Sequence, residues 1–141
     1  MEEIKTKSFE EVCSELSLQY TSDWGIINSD GQRVKEFVQY VFDHPNLKSS
    51  TQFEFVELIA ASMNDAIMEG IDTPEMNAIF RTYILTILPN DILSRQANYW
   101  VRIKNNEEFP VGFMIERIME EWKLVIIWWK WQYRAKPKEL A

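Results

Sequence analysis

Apolar residues recur at helical spacing along nearly the whole chain. Phe9, Val12, Cys13 and Leu16 stand at i, i+3, i+4 and i+7, one face of a helix, and Ser8 with Glu11 supplies a capping box at its start. Val34, Phe37, Val38 and Val41 predict a second helix that stops before His44-Pro45. A third carries Phe55, Val56, Ile59, Met63, Ala66 and Ile67; it is expected to open on a Thr51-x-x-Glu54 capping box and to close at Gly70. Asp72-Thr73-Pro74-Glu75 opens a fourth, with proline in the first turn where it removes no needed N–H, and Met76, Ile79, Phe80, Tyr83 and Ile87 line its inner face. A fifth begins at Asn90 or Asp91 and carries Ile92, Leu93, Tyr99, Trp100 and Ile103. Asn105-Asn106-Glu107-Glu108 reads as a loop, and Pro110 then starts a last helix reaching Tyr133.

These segments predict an all-α fold: one domain over residues 1–141, a bundle of five or six helices. The third, fourth and sixth helices are expected at its centre. The third and fourth, joined by Gly70-Ile71-Asp72, resemble the αα-hairpin stacked in helical solenoids. The competing fold is α+β with a C-terminal hairpin, because Leu124 to Trp131 is rich in β-branched and aromatic residues.

The last helix has two apolar faces. At about 100° per residue, Ile115, Ile118, Met119, Trp122, Val125, Ile126, Trp129 and Tyr133 share one side, the expected core stripe. Trp122, Val125, Ile126 and Trp129 are therefore expected in the core. Leu124, Ile127, Trp128 and Trp131 form a second stripe opposite, with Lys123, Lys130 and Arg134 along one edge. A helix apolar on both sides is either central or offers one side to something else. Cover by other helices of the same chain is the first expectation, a surface for a partner or for self-association, simplest as a two-fold dimer, the second, and a membrane surface the third.

Composition narrows the class. The chain has 141 residues, 46% hydrophobic and 26% charged, with net charge −7, values of a single acidic globular domain. Cys13 is the only cysteine, which rules out an intrachain disulfide and suits a reducing, cytoplasmic setting. The start, MEEIKTKSFEE, lacks the basic and apolar regions of a signal peptide. The longest apolar run, Leu124 to Trp129, is far short of the roughly 20 residues that span a bilayer.

Little of the chain has the makings of a catalytic site. With His44 the only histidine, most zinc and acid–base arrangements lack their parts, and His44 reads as a helix-end residue. Cys13 sits on a core stripe, so it reads as a small buried hydrophobe. The glycines stand apart at 25, 31, 70 and 112, so no phosphate-binding loop is present and no cofactor is implied. Glu54 with Glu57, and Glu116 with Glu120, lie one turn apart; they keep open a carboxylate-dependent enzyme or a metal-binding helical protein, but their positions away from the apolar stripes read as a solvated face.

Charge distribution is more informative. Residues 1–72 hold 14 acidic and 5 basic side chains, whereas residues 73–141 hold 8 acidic and 10 basic. Such a field disfavours nucleic acid and favours a basic protein partner. The expected function is non-enzymatic protein binding, of the kind seen in an acidic inhibitor or immunity-type protein. Glu54, Glu57, Asp65 and Glu69 on the acidic side, and Leu124, Ile127, Trp128 and Trp131 on the second stripe, are the expected partner-binding residues. A membrane-surface adaptor is the third reading.

Overall fold

In a computed structural model, residues 6–135 are described and form seven α-helices and one short 3-10 turn. In chain order these are α1 (Phe9–Leu16), α2 (Trp24–Ile27), the 3-10 turn (Gly31–Arg33), α3 (Val34–Asp43), α4 (Ser49–Glu69), α5 (Pro74–Ile87), α6 (Asp91–Arg102) and α7 (Val111–Ala135). The described residues contain no strand, only an isolated antiparallel bridge between Asn105 and Phe109 in the α6–α7 turn. Leu124 to Trp131 is helical, so the C-terminal hairpin is excluded. All-α is the fold class.

Local chemistry sets the helix ends. The Ser8 hydroxyl accepts the Glu11 N–H at 3.1 Å while Glu11 reaches back to the Ser8 N–H, the reciprocal capping box. Thr73 caps α5 by accepting the Met76 N–H, with Pro74 in its first turn. The Asn90 side chain caps α6 through the Ile92 and Leu93 N–H groups. Gly70 ends α4 at φ +70, a left-handed turn that a side chain would strain. The expected Thr51–Glu54 capping box does not form. α4 starts earlier, at Ser49, which places Thr51 inside the first turn with its hydroxyl buried and unpartnered.

α4 is the hub. Every residue from Leu58 to Asn64 is buried, and the helix packs against α2, the 3-10 turn, α3, α6 and α7. α5 turns away to pack most closely on α3 and α7, so the αα-hairpin expected from Gly70-Ile71-Asp72 is not the centre of the fold. Glycines permit close approaches of backbone to backbone. A Cβ at Gly25 would lie 2.8 Å from the Leu58 backbone nitrogen, and one at Gly112 would collide with the Trp100 carbonyl and Lys104. Trp24, which hydrophobic periodicity does not pick out, is a core residue that stacks edge-on against Phe9 and Phe55. In α6 the buried positions are Leu93, Ala97 and Trp100; Ile92 and Tyr99, expected on that face, are exposed.

A buried asparagine connects the hub to the last helix. Asn64 donates through Nδ2 to the Glu108 carbonyl at 2.9 Å and accepts the Val111 N–H through Oδ1 at 3.2 Å. Both the α6–α7 turn and the first turn of α7 are thereby held from α4. Asn64→Leu leaves an N–H and a carbonyl without their partner and is expected to cost about 1–3 kcal/mol in denaturant titration. Trp24→Ala, at a fully enclosed aromatic, is expected to cost about 3–5 kcal/mol. Trp129→Ala should fall within about 0.5 kcal/mol of the parent, as at exposed sites in general; a loss comparable to Trp24→Ala would show that the end of α7 packs on the body.

Candidate functional site

α7 is 25 residues long, whereas its neighbours α5 and α6 have 14 and 12. At about 1.5 Å per residue this is roughly 37 Å of helix against supports of about 21 and 18 Å. The first half, the root, buries Val111, Ile115 and Ile118 against the body. Trp122 and Ile126 are half-buried beside Leu88, Ser94 and Asn98, in a groove of about 450 Å³ between α6 and α7. From Lys123 onward cover is lost on most sides, Ile126 alone among the described apolar residues there staying half-buried against α6. We call residues 123–135 the tip.

On the tip Leu124, Val125, Ile127, Trp128, Trp129, Trp131 and Tyr133 are all 57–71% exposed. Two sequence expectations are therefore corrected. Val125 and Trp129 are on the core-facing side of the helix but are not in the core, because nothing extends beneath them. The second stripe, Leu124, Ile127, Trp128 and Trp131, has no cover from the described helices of its own chain. Helical phase says which way a side chain faces; it does not say whether a neighbour is long enough to meet it. Trp129 and Tyr133 partly shield each other, stacked at 5.4 Å with rings 15° from parallel. Arg95, Arg102, Lys123 and Lys130, on α6 and the tip, make no ion pair among the described residues. The Arg134 side chain and the charges at Lys136, Lys138 and Glu139 lie outside the described residues.

The acidic candidates divide. Glu54 and Glu57 are half-buried rather than exposed, and α2 brings Asp23 into their field. Burial raises the pKa of both glutamates; Asp23 adds to this at Glu54, and Glu54 and Asp23 add to it at Glu57. Asp65 is half-buried and Glu69 exposed further along α4. None of these five acids makes an ion pair among the described residues. Asp23 lies far from α4 in sequence, so spacing along one helix carried no sign of it. No group of three or more His, Cys, Asp or Glu among the described residues is arranged to hold a metal ion.

His44 has a structural setting. One ring nitrogen, Nδ1, lies 2.7 Å from the Tyr40 carbonyl and the other, Nε2, lies 3.2 Å from Lys7 Nζ, while the ring stacks on Tyr40. Lys7 also binds Glu15 at 2.6 Å, and the Tyr40 hydroxyl donates to the same carboxylate at 2.7 Å. These bonds hold the Glu15 carboxyl below the usual range, the Lys7 bond contributing most, and burial pushes the Tyr40 hydroxyl up. The network ties the segment before α1 to α3. An apolar cleft of about 300 Å³ lies beside it, lined by Val41, Phe42, Tyr83 and Leu93. Cys13 is buried, which raises its thiol pKa despite the neighbouring Trp24 indole, so the reactive thiolate is disfavoured.

No family model, curated protein or solved structure gives a significant match to this chain.

The acidic side has a definite pH signature. Because the folded-state pKa values of Glu54 and Glu57 are raised, the charged forms burden the native state at neutral pH, and the burden is relieved as pH falls through those values. Glu15, Glu36 and Glu75, held low chiefly by hydrogen bonds from Lys7, Arg33 and Lys35, act in the opposite sense: their contribution is lost as pH falls through the lowered values. Glu57→Gln is expected to stabilise the protein at pH 7 by about 0.5 kcal/mol or more, as relief of unfavourable surface charge does. The gain should vanish below the ordinary glutamate pKa of about 4.3. Urea titrations of both proteins at pH 7 and pH 4 check this; an equal difference at the two pH values would assign it to packing.

Proposed function

We propose that this chain is a non-enzymatic protein-binding domain whose contact element is the tip of α7. One observation carries the reading: the tip leaves apolar side chains uncovered around most of its circumference, with only Ile126 half-buried against α6. Soluble monomers seldom leave a contiguous patch of this kind in water, and tryptophan is the residue most enriched at binding hot spots. The unpaired acids Asp23, Glu54 and Glu57 favour a partner with basic character, which would relieve their mutual repulsion. An inhibitor covering a basic enzyme or toxin is the specific form that fits this charge.

The tip is too short for another role of long apolar helices. No described helix is long and apolar enough to cross a membrane. A helix lying on a bilayer needs a broad polar side, and the tip has a narrow one made by Lys123 and Lys130.

A photo-crosslinking amino acid at position 129 tests the reading in cells. Adducts with protein are expected, and they should disappear when Val125→Glu and Tyr133→Glu are added. Adducts confined to lipid, or none, would overturn it.

A further inference from the structure

Resting on that reading, we infer that the outer stripe of α7 is a two-fold contact surface for a second copy of this chain. The stripe consists of Leu124, Ile127, Trp128 and Trp131 and is continued down the root by Phe113, Arg117 and Glu120, all exposed. A second helix can therefore lie along the outer face of α7 over the tip and the adjoining part of the root. Nothing on the opposite side of α7 offers this, because the root there is packed on α5 and α6.

The register is written in the spacing. Glu120, Leu124, Ile127 and Trp131 are separated by four, three and four residues, a pattern that reads the same in both directions about the point between Val125 and Ile126. At about 100° per residue these four fall on one side of the helix. Two antiparallel copies related by a two-fold axis at that point set Leu124 against the partner's Ile127. The same register sets Glu120 beside the partner's Trp131 and the partner's Lys130.

Charge selects the antiparallel arrangement. The root carries Glu116, Arg117, Glu120 and Glu121, and the tip carries Lys123 and Lys130, so the free acid nearest the tip is Glu120. Glu116 is bound to Lys104 at 3.1 Å and Glu121 to Arg81 at 2.6 Å, while Glu120 and Lys130 make no ion pair among the described residues. A parallel pair would place like charges together. The antiparallel pair brings Lys130 to the partner's Glu120 at both ends, an isologous contact of the kind a two-fold axis requires.

The area suffices. A buried tryptophan contributes roughly 150–250 Å², and the two in the stripe are 57% and 71% exposed, with Leu124 and Ile127 at 67% and 64%. The stripe thus offers on the order of 500–600 Å² of apolar surface per copy. Glu120 and Lys130 at its margins bring it nearer the roughly 800 Å² per partner of a standard stable interface. An anionic bilayer, by contrast, repels a chain of net charge −7.

Sedimentation equilibrium of the full chain between about 1 and 100 µM tests this. The mass of two chains is expected. Leu124→Glu with Trp131→Glu should give a monomer of unchanged helical circular dichroism, because both sites are exposed in the single chain. Glu120→Lys alone and Lys130→Glu alone should each weaken the dimer about tenfold, and the two together should restore it. A wild-type monomer throughout the concentration range, or a dimer that survives Leu124→Glu with Trp131→Glu, would overturn the proposal. Failure of the double reversal to recover the dimer overturns the antiparallel register. Flotation of a monomeric wild-type chain with anionic phospholipid vesicles gives the face to a membrane instead. A wild-type monomer that still yields protein adducts at position 129 removes the dimer and leaves the binding reading standing; a dimer with only lipid adducts there does the reverse.

Discussion

The fold depends on burying one helix from all sides. α4 has seven successive buried residues, from Leu58 to Asn64, so no part of its circumference in that stretch is left to water. The polar groups in that stretch need partners inside the protein. Ser62 finds one by accepting the Asp30 N–H at 3.0 Å, which seats the 3-10 turn against the hub. Asn64 finds its partners in the Glu108 carbonyl and the Val111 N–H, which seats the start of α7. Two of the hub's buried polar residues, Ser62 and Asn64, thus set where the surrounding chain docks, with an orientation that apolar contacts alone would leave loose.

From that anchor the path of α7 follows. Its N-terminal turn is held by Asn64, its first half is clamped to α6 by the close approach at Gly112, and Arg81 and Lys104 hold Glu121 and Glu116 on its two flanks. The root is therefore fixed in direction before the supports end. Once a helix is nucleated, each added residue extends it without a new nucleation cost, so the tip continues as helix despite its β-branched and aromatic residues. Rigidity at the root and exposure at the tip are two consequences of one mismatch in helix length.

Much of this was legible in the residues, and the reasons for the failures are physical. Caps report on local backbone geometry, so Ser8, Gly70, Thr73-Pro74 and Asn90 marked their helix ends correctly. Thr51-x-x-Glu54 has the same local form, but the chain before it had another way to start: with Ser49 already helical, the hydroxyl is inside the first turn. Trp24 escaped notice because a four-residue helix is too short to show a period, and its burial comes from α1 and α4. The phase of α7 was correct where the helix is packed, at Ile115, Ile118, Met119, Trp122 and Ile126. Its cover was not, since the lengths of α5 and α6 and their placement beside the root are tertiary facts. The Asp23–Glu54–Glu57 grouping failed to appear for the same reason, one member coming from a distant turn.

The separation of hub and tip has an energetic consequence. Residues that touch the core contribute to folding, and changes there cannot be made without loss of stability. Leu124, Ile127, Trp128 and Trp131 are 57–71% exposed, so most of their apolar area contributes little to folding and would be gained on any association that covered them. Burial of apolar area on association then adds to a fold that is already complete, and any partner binding only the folded form stabilises it further by mass action. The same reasoning explains why the acidic side is the less favourable part of the monomer. Glu54 and Glu57 are held near Asp23 by the packing of α2 on α4, not by any attraction among themselves. Their repulsion is a cost that the core supports in the free protein and that a cation supplied from outside would remove.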